Sequence, residues 1–353
     1  MSLKLPVRVL VVDDSPFIRH ILSKYLEAQP GITVVGEATD GLDALAKIPL
    51  LKPNVVTLDV EMPRMDGLTA LQRIMAECPT PVIMLSGLTQ RGARTTIQAL
   101  MQGAVDFVPK PSAATNIRNV IKELSDKIKA ASGGMPSSRP PTPLAPAPPK
   151  KIKLGPSPFR KGDPVIVIGA STGGPRALQQ VLSDLPADLP AAVAVVQHMP
   201  PAFTRSLAQR LNESSALTVQ EAAPGDRLAR GLVLMAPGDF HLQFKEYKQV
   251  TLNQGPRRNH MRPAADVSME SAAAHHGPAV IGVVLTGMGF DGTEGARHIK
   301  DAGGKIIAEH ESTSVVYGMP RQVVEAGLAD HVMPLSKVAL KLIELVNHKD
   351  SRD

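Results

Sequence analysis

The chain has little of what stabilises secreted and membrane proteins. Its 353 residues include one cysteine, Cys78, so an internal disulfide and a cysteine-based metal cluster are both excluded. No apolar run reaches the roughly 18 residues that a membrane-spanning helix needs. The N-terminus leads straight into the strand-like run Val7–Val12, without the layout of a signal peptide. We therefore expect a cytoplasmic protein without membrane insertion.

The net charge of +6 comes mostly from one short segment. Residues 1–131 carry +2, residues 132–164 carry +5 and residues 165–353 carry −1. Neither long region has the strong positive charge that is typical of a nucleic-acid-binding domain. The charge distribution therefore predicts no nucleic-acid partner.

A proline-rich stretch separates two regions of alternating strands and helices. Residues 132–164 contain ten prolines and little apolar periodicity, so they are predicted to form a semi-rigid linker. Residues 1–131 and 165–353 would then be separate domains. Five strand–helix units predict a (βα)5 parallel sheet in the first, and the second is predicted to be a doubly wound α/β domain. Within the second, residues 217–260 look irregular apart from short strands.

Polar side chains follow the strands of the first region. Asp13 and Asp14 follow the first strand, Asp59 the third, Ser86 the fourth and Lys110 the fifth. The carboxyl ends of parallel strands meet at one edge, where three carboxylates repel one another and favour Mg²⁺. A carboxylate beside Mg²⁺ can attack a phosphoryl donor, while the lysine and the hydroxyl bind phosphoryl oxygens. The alternative is that Asp13 and Asp14 merely cap the first helix.

The first region resembles the receiver domain of two-component response regulators over residues 7–130, in the segments VVDDSPFIR, TLDVEMPRMDG, MLSGLT and DFVPKP. The resemblance implies that a histidine kinase phosphorylates Asp59, with Mg²⁺ held by Asp13 and Asp14. It also implies that Ser86 and Phe107 relay the phosphorylation signal. The peptide bond between Lys110 and the following proline is a candidate for the cis form.

The second region opens with a buried-strand run that leads into GASTGGP. A P-loop needs lysine after the last glycine, but Pro175 follows Gly174. A dinucleotide-binding turn needs glycine where Ser171 stands. The pattern G-x-S-x-G does fit, and it presents a serine hydroxyl at a strand-to-helix turn near backbone N–H groups. An ordinary Gly/Ser loop is the alternative.

A nucleophilic serine needs a base, and the base needs an orienting carboxylate. His198 follows the apolar strand AVAVVQ, and Asp291 follows the strand at Val280–Leu285 within TGMGFDG. Ser171, His198 and Asp291 would thus all lie at strand ends on one edge of the sheet. Their order along the chain differs from the Ser, Asp, His order of α/β-hydrolases.

The second region is similar to the chemotaxis protein-glutamate methylesterase family over residues 165–346, in the segments GASTGGP, QHMP, FTRSLAQRLN, MAPGDFHL, LTGMGFDG and ESTSVVYGMPRQV. The resemblance implies that Ser171 is the nucleophile, His198 the base and Asp291 the orienting carboxylate. Thr172 and Met288 are predicted to support these groups or the oxyanion. The implied substrates are glutamate γ-methyl esters on cytoplasmic chemoreceptor helices, with deamidation of receptor glutamines and no cofactor for hydrolysis.

The two resemblances together predict a phosphorylation-controlled serine esterase that serves adaptation in chemotaxis. We expect the unphosphorylated receiver to cover the Ser171 edge and phosphorylated Asp59 to release it. Phe290 departs from the polar residue expected in GMGxDG. The alternative is a response regulator with a non-catalytic or DNA-binding output domain. A DNA-binding output is disfavoured because the second region carries −1 and shows no convincing helix-turn-helix.

Overall fold

A computed structural model describes residues 5–111, 116–133 and 153–347. Much of the predicted linker, residues 134–152, therefore lies outside the described part of the chain. The chain divides into two compact units, Met1–Ala145 and Pro146–Asp353. In the ranges that the structure describes, no helix combines the length and the apolar character needed to cross a bilayer.

The first unit is a parallel sheet of five strands connected by helices. Its strands are β1 (Val7–Val12), β2 (Ile32–Ala38), β3 (Val55–Asp59), β4 (Val82–Ser86) and β5 (Asp106–Pro109). Its helices are α1 (Pro16–Glu27), α2 (Gly41–Leu51), α3 (Gly67–Glu77), α4 (Gln90–Met101) and α5 (Ile117–Gly133). The strand order is β2-β1-β3-β4-β5, and every neighbouring pair is parallel. The predicted (βα)5 sheet is confirmed.

Local sequence explains where these elements begin. The three central strands β1, β3 and β4 are short apolar runs whose side chains are almost all buried. Four of the helices are capped at their N-terminus by a side chain that accepts a hydrogen bond from a backbone N–H group of the first turn. The capping residues are Ser15, Asp40, Asp66 and Thr89. Gly67 lets α3 start against the end of β3, since a Cβ there would overlap the carbonyl oxygen of Asp59. The strand ends are thereby held in place around Asp59.

The second unit contains a seven-stranded parallel sheet with helices between its strands. The sheet consists of β7 (Val165–Ala170), β8 (Ala192–Gln197), β9 (Thr218–Glu221), β11 (Leu232–Met235), β14 (Val280–Val284), β15 (Lys305–Glu309) and β16 (His331–Met333). Outside the sheet lie the paired strands β6 (Ser157–Pro158) and β10 (Ala229–Arg230), and the hairpin β12 (His241–Lys245) and β13 (Gln249–Asn253). The helices are α6 (Gly174–Asp184), α7 (Phe203–Ser214), α8 (Ala265–His276), α9 (Thr293–Asp301), α10 (Met319–Glu325) and α11 (Leu335–Asn347).

The strand order β16-β15-β14-β7-β8-β11-β9 places a topological switch at β7. The chain leaves β7 for β8 on one side, whereas β14 pairs with β7 on the other side. In open α/β sheets, ligands bind beyond the carboxyl ends of strands at such a reversal. The predicted doubly wound fold is confirmed, and its switch lies where the three candidate triad residues follow their strands.

Three features of the second unit were not predicted. The stretch 217–260, expected to be irregular apart from short strands, contains β9 and the β12–β13 hairpin besides β11. The three-residue strand β16 extends the sheet at its edge. Within the stretch assigned to the linker, β6 pairs with β10, and the side chain of Phe159 is buried in the hydrophobic core of this unit. β6 and β16 have only two and three residues, too few for an alternating apolar pattern to reveal them.

Candidate functional site

Ser171 stands at the turn between β7 and α6. Its backbone N–H donates to the carbonyl of Thr286 at 3.0 Å, and its carbonyl accepts from Gln197 Nε2 at 2.9 Å. The turn needs its glycines. Gly173 has a φ of +79°, and a Cβ on Gly174 would overlap Gln197 Oε1. The sequence GASTGGP therefore fixes the serine between the ends of β14 and β8.

His198 follows β8 and lies beside the serine turn. Ala170 and Gln197 are paired across β7 and β8, so the residues that follow them start about 4.8 Å apart. The backbone N–H of His198 also donates to the carbonyl of Ala170 at 3.1 Å. The ring Nε2 is 2.7 Å from Asp291 Oδ2. The ring Nδ1 is buried, with no hydrogen-bond partner in the described ranges, and is therefore the nitrogen left for the serine hydroxyl.

Asp291 reaches His198 from the loop after β14 and is 3% exposed. Its Oδ2 also accepts the N–H of Ala265 at 2.6 Å. Its Oδ1 accepts the N–H groups of Asp266 at 3.0 Å and Gly292 at 3.1 Å. Burial raises the pKa of Asp291, but the His198 hydrogen bond and the backbone donors outweigh burial and hold the pKa below the usual 3.8. The carboxylate therefore stays ionised and can stabilise an imidazolium ion.

Thr172 and Met288, the predicted supporting residues, lie on the two loops that meet at Ser171. Thr172 is buried, and its carbonyl accepts the hydroxyl of Thr286 at 2.9 Å. Met288 directly follows Gly287, where an added Cβ would lie 2.8 Å from the Cβ of Ser171. The backbone of both loops is therefore close enough to the serine to surround an ester carbonyl bound there.

The acidic cluster of the first unit contains the three predicted carboxylates. One oxygen each from Asp13, Asp14 and Asp59 lies within 4.8 Å of the others. Asp13 and Asp59 are buried, while Asp14 is exposed. Ser15, rather than either member of the acidic pair, caps α1 by accepting the N–H of Ile18. An all-carboxylate donor set of this size could hold a hard cation such as Mg²⁺.

Lys110 crosses this cluster. Its Nζ is 2.9 Å from Asp13 Oδ2 and 2.6 Å from Asp59 Oδ2. Burial raises the pKa of Asp59 from 3.8 to about 6, although Lys110 opposes the shift. Burial lowers the pKa of Lys110, but its two carboxylate partners outweigh burial and raise it above 10.5. One ammonium therefore faces two buried carboxylates and leaves a net negative charge that a divalent cation would compensate.

The remaining predicted receiver residues are buried in the first unit. The Ser86 hydroxyl at the end of β4 accepts from the Thr96 hydroxyl at 2.7 Å. The Phe107 side chain in β5 is 3% exposed, and Lys127 Nζ lies 5.4 Å from its ring centroid. The prediction of a cis bond after Lys110 is wrong. In the described ranges, the cis peptide bond lies between Arg262 and Pro263. The cis prediction rested only on the weak energetic preference of X–Pro bonds, which does not determine the isomer.

Comparison with known proteins decides the family. Residues 166–342 match the family described as CheB methylesterase, and residues 9–122 match the response regulator receiver domain. A protein-glutamate methylesterase/protein-glutamine glutaminase of Symbiobacterium thermophilum is 50% identical over 345 residues, which cover 95% of each chain. The chain belongs to the CheB methylesterase family. The predicted enzyme class, a carboxylic ester hydrolase, is thereby confirmed.

Other CheB relatives agree with this assignment. The protein-glutamate methylesterase/protein-glutamine glutaminase of Thermotoga maritima is 47% identical, covering 96% of this chain and 98% of the relative. The crystal structure of the Thermotoga maritima CheB methylesterase catalytic domain is similar with a TM-score of 0.51 and 48% identity. It covers 52% of this chain and 98% of that domain. The two predicted family resemblances and the fold class of each unit are confirmed.

Two buried polar residues that bond to the loops of the candidate site were not predicted from the sequence. Gln197 donates its Nε2 to the carbonyls of Ser171 at 2.9 Å and His198 at 3.3 Å, and so joins the two turns. Glu309 accepts the N–H of Thr286 at 2.8 Å, and burial raises its pKa to about 7. Each is a polar residue that ends an apolar strand of the sheet, and that position is the signal that could have identified both.

Proposed function

We propose that the chain is a phosphorylation-controlled serine esterase that acts in the cytoplasm. Its substrates would be glutamate γ-methyl esters on the cytoplasmic helices of chemoreceptors, and it would also deamidate receptor glutamines. The resulting change in receptor methylation would provide adaptation in chemotaxis. The names of the relatives, protein-glutamate methylesterase/protein-glutamine glutaminase, support this substrate class. No cofactor is needed for the hydrolysis.

One observation carries the proposed chemistry: His198 Nε2 binds Asp291 Oδ2 at 2.7 Å beside the Ser171 turn. This bond places the imidazole proton on Nε2 and leaves the Nδ1 lone pair as the acceptor for a hydroxyl proton. In the proposed triad Ser171 is the nucleophile, His198 the base and Asp291 the orienting carboxylate. The roles are the ones that each group plays in a Ser-His-Asp triad.

The reaction proceeds in two acyl-transfer steps. Ser171 Oγ attacks the ester carbonyl while His198 Nδ1 takes the hydroxyl proton. The tetrahedral intermediate collapses, the C–O bond to the methoxy group breaks, and His198 returns the proton so that methanol leaves. Water then gives a proton to His198 and attacks the acyl group, and Ser171 leaves with that proton. The product is a free glutamate carboxyl group.

Backbone N–H groups around the serine turn and near Met288 would bind the oxyanion, with Thr172 supporting the turn. Each donor of this kind is typically worth about 2.7–4 kcal/mol in the transition state. The two loops already approach one another at Ser171, where the Gly287 backbone leaves no room for a side chain.

The receiver is proposed to take a phosphoryl group on Asp59 from a chemotaxis histidine kinase. Asp13, Asp14 and Asp59 would hold Mg²⁺, which would neutralise charge on the incoming phosphoryl group. Lys110 would pair with a phosphoryl oxygen, since its Nζ already lies 2.6 Å from Asp59 Oδ2. Ser86 and Phe107 would relay the change, with both side chains buried in the form described here.

The domain boundaries belong to the same proposal. Residues 1–131 would form the receiver, 132–164 the linker and 165–353 the methylesterase domain. The unphosphorylated receiver would restrain the esterase, and phosphorylation would release it. A receiver variant Asp59→Asn should then keep the basal rate but lose the increase that acetyl phosphate and Mg²⁺ produce. An undiminished increase in this variant would contradict control through Asp59.

The direct test is methanol release from a methylated chemoreceptor cytoplasmic fragment. Ser171→Ala should release no measurable methanol, because no other group replaces the nucleophile. Ser206→Ala is a matched control. Among the residues that the structure describes, the Ser206 hydroxyl on α7 bonds only to the Ala202 carbonyl, at 3.1 Å, so the rate should not change. Methanol release by Ser171→Ala at more than a tenth of the normal rate would refute the proposal.

A further inference from the structure

The Asp291 carboxylate faces a second buried carboxylate, that of Asp266 on α8. Asp266 is 1% exposed. In the ranges that the structure describes, no lysine or arginine forms an ion pair with it, although Asn259 Nδ2 lies 3.3 Å from its Oδ2. Burial and the neighbouring Asp291 charge raise the pKa of Asp266 to about 6. Keeping two carboxylates together in an interior is costly, so this arrangement calls for a reason beyond packing.

Each of the two aspartates binds the backbone that carries the other. Asp291 accepts the N–H groups of Ala265 and Asp266, the first two residues of α8. Asp266 Oδ1 in turn accepts the N–H groups of Gly292 at 2.9 Å and Gly295 at 2.8 Å, where α9 begins. Gly292 directly follows Asp291 in the chain. The Asp291 carboxylate, just before α9, therefore caps the start of α8, and the Asp266 carboxylate, in the first turn of α8, caps the start of α9.

The packing of the two helices leaves little freedom at this contact. A Cβ on Gly295 would lie 2.5 Å from the Cβ of Met269 and 3.0 Å from the Cα of Asp266. The helices therefore approach with backbone against backbone, and the Asp266 carboxylate fills the space at their N-termini. Movement of the Gly292 N–H would carry Asp291 with it, and the 2.7 Å bond to His198 Nε2 would change.

We propose that Asp266 is a positioning residue, which holds the loop of Asp291 so that this carboxylate keeps His198 in its productive orientation. Asp266 does not touch the substrate or the serine; it acts through Gly292 and Asp291. The inference rests on the proposed serine-esterase function and extends it by one residue. A simple helix cap would contribute stability only, whereas a positioning residue contributes to kcat as well.

The test compares full-length variants under one fixed phosphodonor condition. Asp266→Ala removes both acceptors and should lower kcat for methanol release by about 10- to 100-fold with KM unchanged, because small displacements of catalytic groups have effects of this size. Asp266→Asn keeps an oxygen for Gly292 and Gly295, so it should retain kcat within about threefold of the normal value, as expected when geometry is preserved. If Asp266→Ala does not fold, Asp266→Ser, which can satisfy one N–H, replaces it with a loss of about tenfold.

The matched control is Asp163→Ala. Asp163 is also a buried carboxylate that accepts a backbone N–H, from Arg160 at 2.6 Å, but it precedes β7 at the end of the sheet away from Ser171. This variant should be destabilised and yet keep kcat. A second readout is the low-field proton resonance of His198 Nε2–H, which Asp266→Ala should shift or abolish and Asp163→Ala should preserve.

The outcomes separate the inference from the function on which it rests. Unchanged kcat in Asp266→Ala, or in Asp266→Ser where that variant replaces it, would overturn the positioning role, and so would an equal loss in Asp163→Ala. Methanol release that persists in Ser171→Ala would instead overturn the proposed function. A loss in Asp266→Ala together with a normal Asp163→Ala and an inactive Ser171→Ala supports both.

Discussion

Replacing Asp291 by asparagine would test how the carboxylate controls His198. The two oxygens of Asp291 accept four hydrogen bonds. Oδ2 accepts from His198 Nε2 and the N–H of Ala265, and Oδ1 accepts from the N–H groups of Asp266 and Gly292. Asparagine has one oxygen and one NH₂ group in the same shape, so the donors at one of the two oxygen positions must lose or change their partner.

The hydrogen bonds of Asp291 predict which of the two positions the amide nitrogen of the asparagine takes. With the amide nitrogen in the Oδ1 position, two backbone N–H groups lose their acceptor, at about 1–3 kcal/mol each. With the amide nitrogen in the Oδ2 position, only the N–H of Ala265 loses its acceptor, and the amide donates to His198 Nε2. The second arrangement is the more stable. It moves the imidazole proton to Nδ1, the nitrogen that must accept the proton of Ser171.

A histidine held in this wrong tautomer is a poor base. The corresponding change in a Ser-His-Asp triad lowers kcat by about 10⁴-fold, or about 5.5 kcal/mol of transition-state stabilisation. Methanol release from a methylated receptor fragment measures it, and Asp163→Asn serves as the control because its carboxylate lies before β7, far from the triad. If Asp291→Asn kept kcat within tenfold of the normal enzyme, the proposed role of the carboxylate would be wrong.

Three further changes have defined outcomes. Burial raises the pKa of Glu309 to about 7, so this group is protonated in the native state over a pH range in which it is ionised in the unfolded state. The free energy of unfolding should therefore fall by about 2.5 kcal/mol as the pH rises from 5 to 8. Urea unfolding of Glu309→Gln should lack that decline, and a parallel pH dependence in both proteins would contradict it. Lys110→Ala removes the ion-pair partner of Asp59 and should lower the free energy of unfolding of the first unit by about 3 kcal/mol, measured by thermal or urea unfolding. Added Mg²⁺ should recover part of this loss. No response to Mg²⁺ would argue against the cation site. Gly174→Ala should displace Gln197 from the Ser171 carbonyl and lower kcat for methanol release by about tenfold, so an unchanged kcat would exclude this role for the glycine.

Parallel topology explains why much of the candidate site could be predicted. Ser171, His198 and Asp291 follow three strands that neighbour one another in the sheet, and the ends of neighbouring parallel strands converge wherever the chain goes between them. The same rule brings Asp13 and Asp59 together in the first unit. Residue type at a strand end was therefore sufficient to predict that these groups lie near one another.

The roles of the supporting residues could not be predicted, because their partners are backbone atoms; only the position of Gln197 at a strand end was a signal. Asp266 acts on the N–H groups of Gly292 and Gly295, which a pattern of side chains does not reveal. Gln197 likewise binds two carbonyl groups on different loops. In residues 217–260, the short strands are stabilised by tertiary contacts, and a strong local apolar period does not mark them in the sequence.

Activation of Ser171 by His198 for nucleophilic attack can be measured by labelling with a fluorophosphonate. Such a reagent forms a covalent adduct with an activated serine, and mass spectrometry of proteolytic peptides locates the adduct. One adduct is expected on the peptide that contains Ser171 in the normal protein, and none in His198→Ala. An unlabelled Ser171 in the normal protein, or equal labelling in His198→Ala, would contradict this activation.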